Sequence, residues 1–93
     1  MNTIQFNQSG DKYVYEYTST GAHRTIQVKH KKAAQYPLQV FARIDNSLPW
    51  ALIGSSEAHN GITAIVTVGV PADVQVRILS NYEPEVAGYA DAQ

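Results

Sequence analysis

Three tyrosines at alternate positions are the residues whose type and spacing most strongly suggest a function. Tyr13, Tyr15 and Tyr17 are separated by single residues of other types. Every second residue of a β-strand lies on the same face, so the rings would form a row with a spacing of about 7 Å. Such a row could stack on sugar rings or form the rim of a protein interface, because tyrosine combines apolar area with a polar tip. The tyrosines could instead point inward with their hydroxyls at the sheet edge, or reflect the preference of tyrosine for strands.

Other reactive residue types lack the spacing that catalysis or metal binding needs. The histidines, His23, His30 and His59, form no short ligand pattern with each other or with carboxylates. Serines, a glutamate and a histidine occur together in residues 55–61, but no strand-turn-helix frame for a nucleophile accompanies them, and we predict a hairpin loop there. The sequence has no cysteine. We therefore expect no enzyme activity, no metal and no cofactor.

Length and composition predict one small folded domain that spans residues 1–93. The chain is 44% hydrophobic and 16% charged, which is typical of a globular protein. A domain of this size buries only about 60–65% of its unfolded surface, so association of subunits would add stability, and we expect a homo-oligomer. The N-terminal residues lack the basic and apolar regions of a signal peptide, and no apolar run approaches about 18 residues. We expect a chain made without a signal peptide and without membrane contact.

The charges are distributed unevenly along the chain, although the net charge is only −1. Six of the seven lysines and arginines lie in residues 1–46, and five of the eight acidic residues lie in residues 47–93. The two halves could meet within one folded chain, or a positive patch of one subunit could contact a negative patch of the next. The basic run at residues 29–32 is too short, and too poor in aromatic residues, to predict nucleic-acid binding.

Period-two alternation of apolar and polar residues dominates the sequence and predicts strands. The predicted strands are residues 3–7, 12–18, 24–30, 38–44, 50–55, 62–70 and 74–80, with a weaker eighth at 86–89. Residues 31–35 are predicted to connect one sheet to the other. The pattern predicts an all-β fold, a two-layer antiparallel β-sandwich of seven to eight strands with jelly-roll or Greek-key topology.

Turn residues and alternation make further predictions about pairing and faces. Ser9-Gly10-Asp11, Thr20-Gly21-Ala22 and Asn60-Gly61 are each predicted to join hairpin partners. Phe41, Ile65 and Leu79 are predicted to lie on outward faces, where another chain could cover part of the surface. The alternation assigns the following side chains to the core: Ile26, Val28, Leu38, Val40, Ala42, Ile44, Ile62, Ala64, Val66, Val68, Val70, Val74, Val76 and Ile78.

One stretch resembles a known class of module. In residues 62–78 a valine-rich run is joined through Val70-Pro71-Ala72 to Val74-Gln75-Val76-Arg77-Ile78. This stretch resembles the closing hairpin of small jelly-roll modules in phage head fibres, tail fibres and decoration proteins, and residues 38–50 add to the likeness. The resemblance covers about a fifth of the chain and brings no motif of functional residues. It implies a structural module, commonly trimeric, that attaches to or projects from a larger assembly.

The sequence therefore favours a protein that acts through its surface. Our leading hypothesis is a non-catalytic structural or adhesion module, a homo-oligomer that is cytoplasmic or virion-associated, such as a phage decoration or fibre component. The alternative is a carbohydrate-binding module that uses a surface row of tyrosines and whose partner is a cell-surface glycan. The predicted interface or glycan-binding residues are Tyr13, Tyr15, Tyr17, Phe41, Trp50 and Ile65.

Overall fold

The computed structural model describes residues 2–33, 37–56 and 61–92, and these residues form two antiparallel sheets. The four-stranded sheet has the order β1-β9-β4-β7, and the five-stranded sheet has the order β2-β3-β8-β5-β6. The strands are β1 (Asn2–Thr3), β2 (Asn7–Ser9), β3 (Lys12–Thr18), β4 (His23–His30), β5 (Gln39–Arg43), β6 (Ala51–Ser55), β7 (Thr63–Val68), β8 (Gln75–Ser80) and β9 (Pro84–Ala92).

The connectivity of the strands is that of a jelly roll. Apart from the hairpins β2–β3 and β5–β6, each connection carries the chain from one sheet to the other. With the three-residue β2 set aside, two four-stranded layers remain, in the orders β1-β9-β4-β7 and β3-β8-β5-β6. The predicted all-β, two-layer sandwich is therefore confirmed. The described residues form nine strands rather than the predicted seven to eight, because the strand predicted over residues 3–7 is interrupted at residues 4–6 and its ends belong to β1 and β2 in different sheets. Within the described ranges, no helix has the length and apolar character that crossing a membrane requires.

The core lies between the two sheets and follows the alternation of the sequence. Ile26 and Val28 of β4 are fully buried, as are Val76 and Ile78 of β8. Burial of such side chains is the main favourable term in folding, at about 25 cal/mol per Å² of apolar surface. Most of the predicted core is confirmed, and the buried cluster is Ile4, Ile26, Val28, Leu38, Val40, Ala64, Val68, Val76, Ile78 and Ala87.

Two residues predicted to lie in the core are exposed. Ile44 is 73% exposed and Ile62 is 43% exposed. The prediction was wrong because alternation places a side chain on a face only while the strand continues. β5 ends at Arg43, one residue before Ile44, and β7 begins at Thr63, one residue after Ile62.

The two glycine turns near the N-terminus have different roles. Gly10, with a φ of 62°, lies in the tight turn of the predicted β2–β3 hairpin, in which Ser9 is opposite Lys12. Gly21, with a φ of 94°, also lies in a turn, but the prediction of a hairpin there was wrong because β3 and β4 belong to different sheets. The Ser19 N–H donates to the Val74 carbonyl at 2.8 Å, which continues the pairing of β3 with β8.

The connections from β4 to β5, from β6 to β7 and from β7 to β8 also cross between the sheets, so residues 62–78 do not form the hairpin that the resemblance implies. The crossing predicted for residues 31–35 is confirmed, although residues 34–36 lie outside the described part of the chain. The hairpin predicted at Asn60-Gly61 was wrong, because β6 pairs with β5 and β7 pairs with β4. Asn60 itself lies outside the described residues. Local turn residues mark where a strand ends but do not specify which sheet the next strand joins.

Candidate interaction surface

The tyrosine row lies on the inner face of the five-stranded sheet. Tyr15 is opposite Ile78 and Tyr17 is opposite Val76, and directly opposed residues of an antiparallel pair share a face. Ile78 and Val76 are fully buried, so the tyrosine rings point toward the interior. The rings of Tyr15 and Tyr17 stack with their centroids 5.4 Å apart, and both pack against the core. The structure thus supports the inward orientation that the sequence left open.

Arg24 links these tyrosines to the last strand. Its guanidinium lies over the ring of Tyr17 at 4.3 Å and over that of Tyr89 at 3.8 Å, and its Nη1 donates to the Tyr15 hydroxyl at 3.0 Å. Two further hydrogen bonds, of 2.7 and 2.9 Å, join its Nε and Nη2 to the two carboxylate oxygens of Asp91. We call these five residues the Arg24 cluster. The cluster joins three strands, β3, β4 and β9, at one end of the sandwich.

Burial and contact with Arg24 shift the pKa values of groups in the Arg24 cluster. Burial raises the pKa of Tyr17 to about 12 and also raises the pKa of Tyr15, because a phenolate loses more hydration than a phenol. The hydrogen bonds from Arg24 hold the pKa of Asp91 below its ordinary value. Tyr15 and Tyr17 therefore remain neutral at neutral pH, and Arg24 and Asp91 remain charged.

Sequence reasoning overlooked Arg24, although a signal was present. Arg24 has the same parity in β4 as the buried residues Ile26 and Val28, so it occupies an inward-facing position. A charge on the apolar face of a strand needs a partner, because its desolvation is costly. Asp91 supplies the charge and the tyrosine rings supply the stacking surface.

A second cluster lies on the outer face of the five-stranded sheet. The Arg43 and Arg77 guanidinium carbons lie 4.2 and 4.5 Å from the ring centroid of Trp50. Arg77 also donates from Nε to a carboxylate oxygen of Glu16 at 2.6 Å. Phe41 is directly opposite Arg77 and half-buried, so it belongs to the same outer face. Two of the predicted surface residues, Phe41 and Trp50, thus lie together, away from the tyrosine row.

Ile65 lies on the other sheet, at its edge. It is opposite Gln27 of β4 and is 56% exposed. Its neighbours on the outer face, Thr63 and Thr67, are exposed as well. The predicted surface residues therefore do not form one site: the tyrosines face inward, Phe41 and Trp50 lie on one outer face, and Ile65 lies on the opposite one.

Exposed apolar side chains are concentrated on one side of the sandwich. Ile44, Leu48, Leu52 and Ile53 belong to the β5–β6 hairpin, and Ile62 and Ile65 belong to β7 or the residue before it. β6 and β7 are the last strands of their sheets on this side, and a cleft of about 330 Å³ runs between them. Ile53, Val66 and Val70 contribute apolar side chains to the cleft. We call this region the β6–β7 side.

A more polar groove lies on the opposite side of the sandwich. It has a volume of about 390 Å³, and its lining includes Phe6, Tyr13, Gln5, Gln8 and Glu83. Tyr13 is half-buried and is the one member of the tyrosine row that does not pack against the core. An aromatic ring beside amide and carboxylate groups is chemically suited to a hydroxylated ligand.

The charged residues of the two halves of the chain form ion pairs with each other. Each of four ion pairs joins a residue of 1–46 to a residue of 47–93, namely Arg24–Asp91, Lys29–Glu85, Lys31–Glu83 and Glu16–Arg77. Three of these pairs join β4 to its neighbour β9. Their basic residues lie in β4 or just after its end, and their acidic residues lie in β9 or just before its start. The halves meet in the fold, so the charge asymmetry does not require a head-to-tail contact between subunits.

The histidines and serines that could suggest chemistry have structural contacts. His30 and Ser80 are both buried, with His30 Nε2 3.0 Å from the Ser80 hydroxyl oxygen, which also donates to the Tyr82 carbonyl at 2.7 Å. The hydroxyl of Ser56 accepts from the Leu38 N–H at 2.8 Å. His59 and Glu57 lie outside the described residues. Among the residues that are described, no three histidine or acidic side chains gather in a way that could hold a metal ion.

The fold defines the class of the chain as a jelly-roll β-sandwich. Comparison with protein-family models finds no match, and comparison with curated proteins finds none either.

Proposed function

We propose that this protein is a non-catalytic structural or adhesion module that works through surface contacts as a homo-oligomer. We further propose that it belongs to a larger assembly, as a phage virion decoration or fibre component would. The observation that carries the proposal is the exposed apolar surface of the β6–β7 side. Large exposed apolar patches are typical of protein interfaces, because leaving them in water is unfavourable.

The exposure on the β6–β7 side is large for so small a domain. Ile44 is 73% exposed, Leu52 is 60% exposed and Ile65 is 56% exposed, whereas the side chains of the core cluster are almost fully buried. A 93-residue domain has limited core, so burying these side chains against another subunit would stabilise it. The exposed side chains are therefore best explained as an interface.

The polar side chains support a role without catalysis. The charged residues of the Arg24 cluster are paired with each other, and the buried pair of His30 and Ser80 joins β4 to the end of β8. A catalytic nucleophile must reach its substrate, but Ser80 is only 1% exposed and already donates its hydrogen bond to a backbone carbonyl. These groups stabilise the sandwich.

The oligomeric state is the direct test of this proposal. Size-exclusion chromatography with multi-angle light scattering should give a molar mass that is a multiple of the 10.2 kDa of one chain. A chain that stays strictly monomeric at high micromolar concentration would contradict the proposal. An independent test of the virion role is the genetic context, where we expect capsid or tail genes beside the coding sequence.

Carbohydrate binding is a second candidate, favoured by the groove that contains Tyr13. We propose that the ring of Tyr13 stacks on a sugar while Gln5 and Gln8 bind its hydroxyl groups. A glycan array followed by titration calorimetry tests this, with Tyr13→Ala expected to abolish binding and Trp50→Ala, on another face, as the matched control. A blank array, or equal binding by both variants, would exclude the groove as a glycan site.

A further inference from the structure

The four edge strands of the sandwich differ in how well they are protected against pairing with another chain. β1 and β2 have only two and three residues, which limits the ladder they could offer. β6 has five residues, but the register between β5 and β6 shifts between Val40 and Phe41, and such a bulge twists an edge away from a flat partner. Length and bulge thus protect three of the edges.

β7 has none of these protections. Its six residues, Thr-Ala-Ile-Val-Thr-Val, contain no charge, no proline and no glycine, and five of them are β-branched, with members on both faces. Its register with β4 runs evenly from Thr63 to Val68. Within the described part of the chain, β7 pairs with β4 alone, so its other edge presents backbone N–H and C=O groups. An exposed, regular and uncharged edge strand is a ready template for another strand.

We propose that β7 pairs antiparallel with β7 of a second copy of this chain, around a two-fold axis at Ile65. This inference rests on the proposed function, because it names the partner and the contact through which the homo-oligomer forms. The two four-stranded sheets would become one continuous eight-stranded sheet. The second copy would also cover the cleft beside β7, where Val66 is inward-facing but only half-buried.

The charge pattern favours a second copy over an unrelated partner. Two identical strands that pair around a two-fold axis bring like charges together, so a charged strand resists self-pairing. β7 carries no charge, and the nearest cation on the outer face, Lys29, is opposite Thr63 and paired with Glu85 at 3.0 Å. Nothing on the edge calls for a partner of complementary charge.

The alternation of the strand limits the register of the contact. Residues that lie directly opposite each other in an antiparallel pair share a face of the sheet. A two-fold axis perpendicular to the sheet also keeps every residue on its own face. The residue at the axis must therefore lie opposite the same residue of the second copy. With Ile65 at the centre, Thr63 lies opposite Thr67 of the second copy, and Ala64 lies opposite Val66. The largest exposed side chain of β7 is then buried against itself, threonine pairs with threonine, and a small residue faces a larger one inside.

Disulfide trapping tests this register directly, because the natural chain has no cysteine. Residues directly opposite each other have Cβ atoms about 4.5–5.5 Å apart, close to what a disulfide needs. We expect Ile65→Cys to form a covalent dimer under mild oxidation. The matched controls are Val86→Cys, 48% exposed on β9 of the same sheet, and Leu52→Cys, on the rival edge β6. If Ile65→Cys crosslinks no faster than either control variant, the proposal is overturned.

A charge placed on the edge separates this inference from the broader proposal. Ile65→Lys should convert the oligomer to a smaller species in light scattering, and Leu52→Lys should leave the β7 contact intact, with circular dichroism showing that both remain folded. An oligomer that persists in Ile65→Lys but is lost in Leu52→Lys would overturn the β7 contact while the homo-oligomer stands. A wild-type chain that is always monomeric would overturn both.

Discussion

Arg24 and Asp91 form a two-pronged ion pair across the neighbouring strands β4 and β9, with N–O distances of 2.7 and 2.9 Å. The Arg24 side chain is only 12% exposed, whereas that of Asp91 is 30% exposed. A bidentate pair at the border of the core has better geometry than most surface pairs. The Arg24–Asp91 ion pair joins the first half of the chain to its last strand. It also holds the guanidinium over the rings of Tyr17 and Tyr89.

Replacing Asp91 should therefore destabilise the sandwich. We expect Asp91→Asn to lower the free energy of unfolding by about 1 kcal/mol, because Arg24 loses its counter-charge while the shape is kept. Urea denaturation of the variant and the wild type measures the change. Asp73→Asn, in an exposed turn, is the control and should change stability by less than about 0.5 kcal/mol. Equal stability of all three proteins would show that the pair contributes nothing.

The same pair should give the wild type a pH dependence in acid. The pKa of Asp91 is lower in the folded state than in the unfolded state, because Arg24 hydrogen-bonds to the carboxylate. The stabilisation is therefore present above the unfolded pKa of about 3.9, and it is lost as the pH falls through the lower folded value. The difference in stability between wild type and Asp91→Asn should shrink as the pH falls below about 4. A constant difference down to pH 2 would contradict this origin.

Tyr17 should ionise late in an alkaline titration. Its pKa is raised to about 12 by burial, while an unfolded tyrosine has a pKa of about 10. The favourable contribution of neutral Tyr17 is fully present below pH 10 and is lost as the pH rises toward about 12, because the unfolded state ionises first. Phenolate absorbance should show a late component, and Tyr17→Phe should reduce it. Simultaneous ionisation of all tyrosines in the folded protein would contradict the burial of Tyr17.

The core can be tested with two isoleucines that the sequence pattern treats alike. Ile26 is fully buried, whereas Ile44 is 73% exposed because β5 ends before it. Ile26→Ala should cost about 2–5 kcal/mol, through lost burial and the cavity that remains. Ile44→Ala should change the stability of the monomer by less than about 0.5 kcal/mol. Thermal and urea unfolding of the two variants under the same conditions give the comparison, and similar losses would place both side chains in the core.

These two isoleucines also show how far the sequence can predict the fold. The alternation of β4 and β8 correctly predicts the buried faces, because both strands are central in their sheets and continue through the whole pattern. At Ile44 the same pattern fails, since alternation contains no information on where pairing ends. Likewise, the turn at Gly21 is visible in the sequence, but the sheet that β4 joins depends on long-range pairing with β7 and β9.

β9 shows a different limit. The sequence predicts only a weak strand at residues 86–89, yet β9 extends over Pro84–Ala92 and pairs with both β1 and β4. Small residues such as Ala87 and Gly88 are buried there without adding much hydrophobicity to the pattern.

For the surface residues, alternation placed Ile65 on an outer face correctly. It could not show that the tyrosine row faces inward, since tyrosine is compatible with either side of a strand.

The cluster around Trp50 provides a spectroscopic test, because Trp50 is the only tryptophan in the chain. The guanidinium carbons of Arg43 and Arg77 lie 4.2 and 4.5 Å from its ring centroid and cover part of the indole. Arg43→Ser and Arg77→Ser should each shift the fluorescence emission to longer wavelength, as water replaces the guanidinium. Each should also cost about 0.5–1 kcal/mol of stability.

Glu16→Gln is the matched control for the Trp50 cluster. It removes the charge partner of Arg77, whose Nε lies 2.6 Å from a Glu16 oxygen, but leaves the guanidinium available to stack. We expect its emission spectrum to match that of the wild type, because the covering of the indole depends on the planar cation rather than on the ion pair. If Glu16→Gln shifts the emission as far as Arg77→Ser does, then the ion pair, and not stacking, positions Arg77 over the ring. If neither arginine variant shifts the emission, the two guanidinium groups do not cover Trp50 in solution.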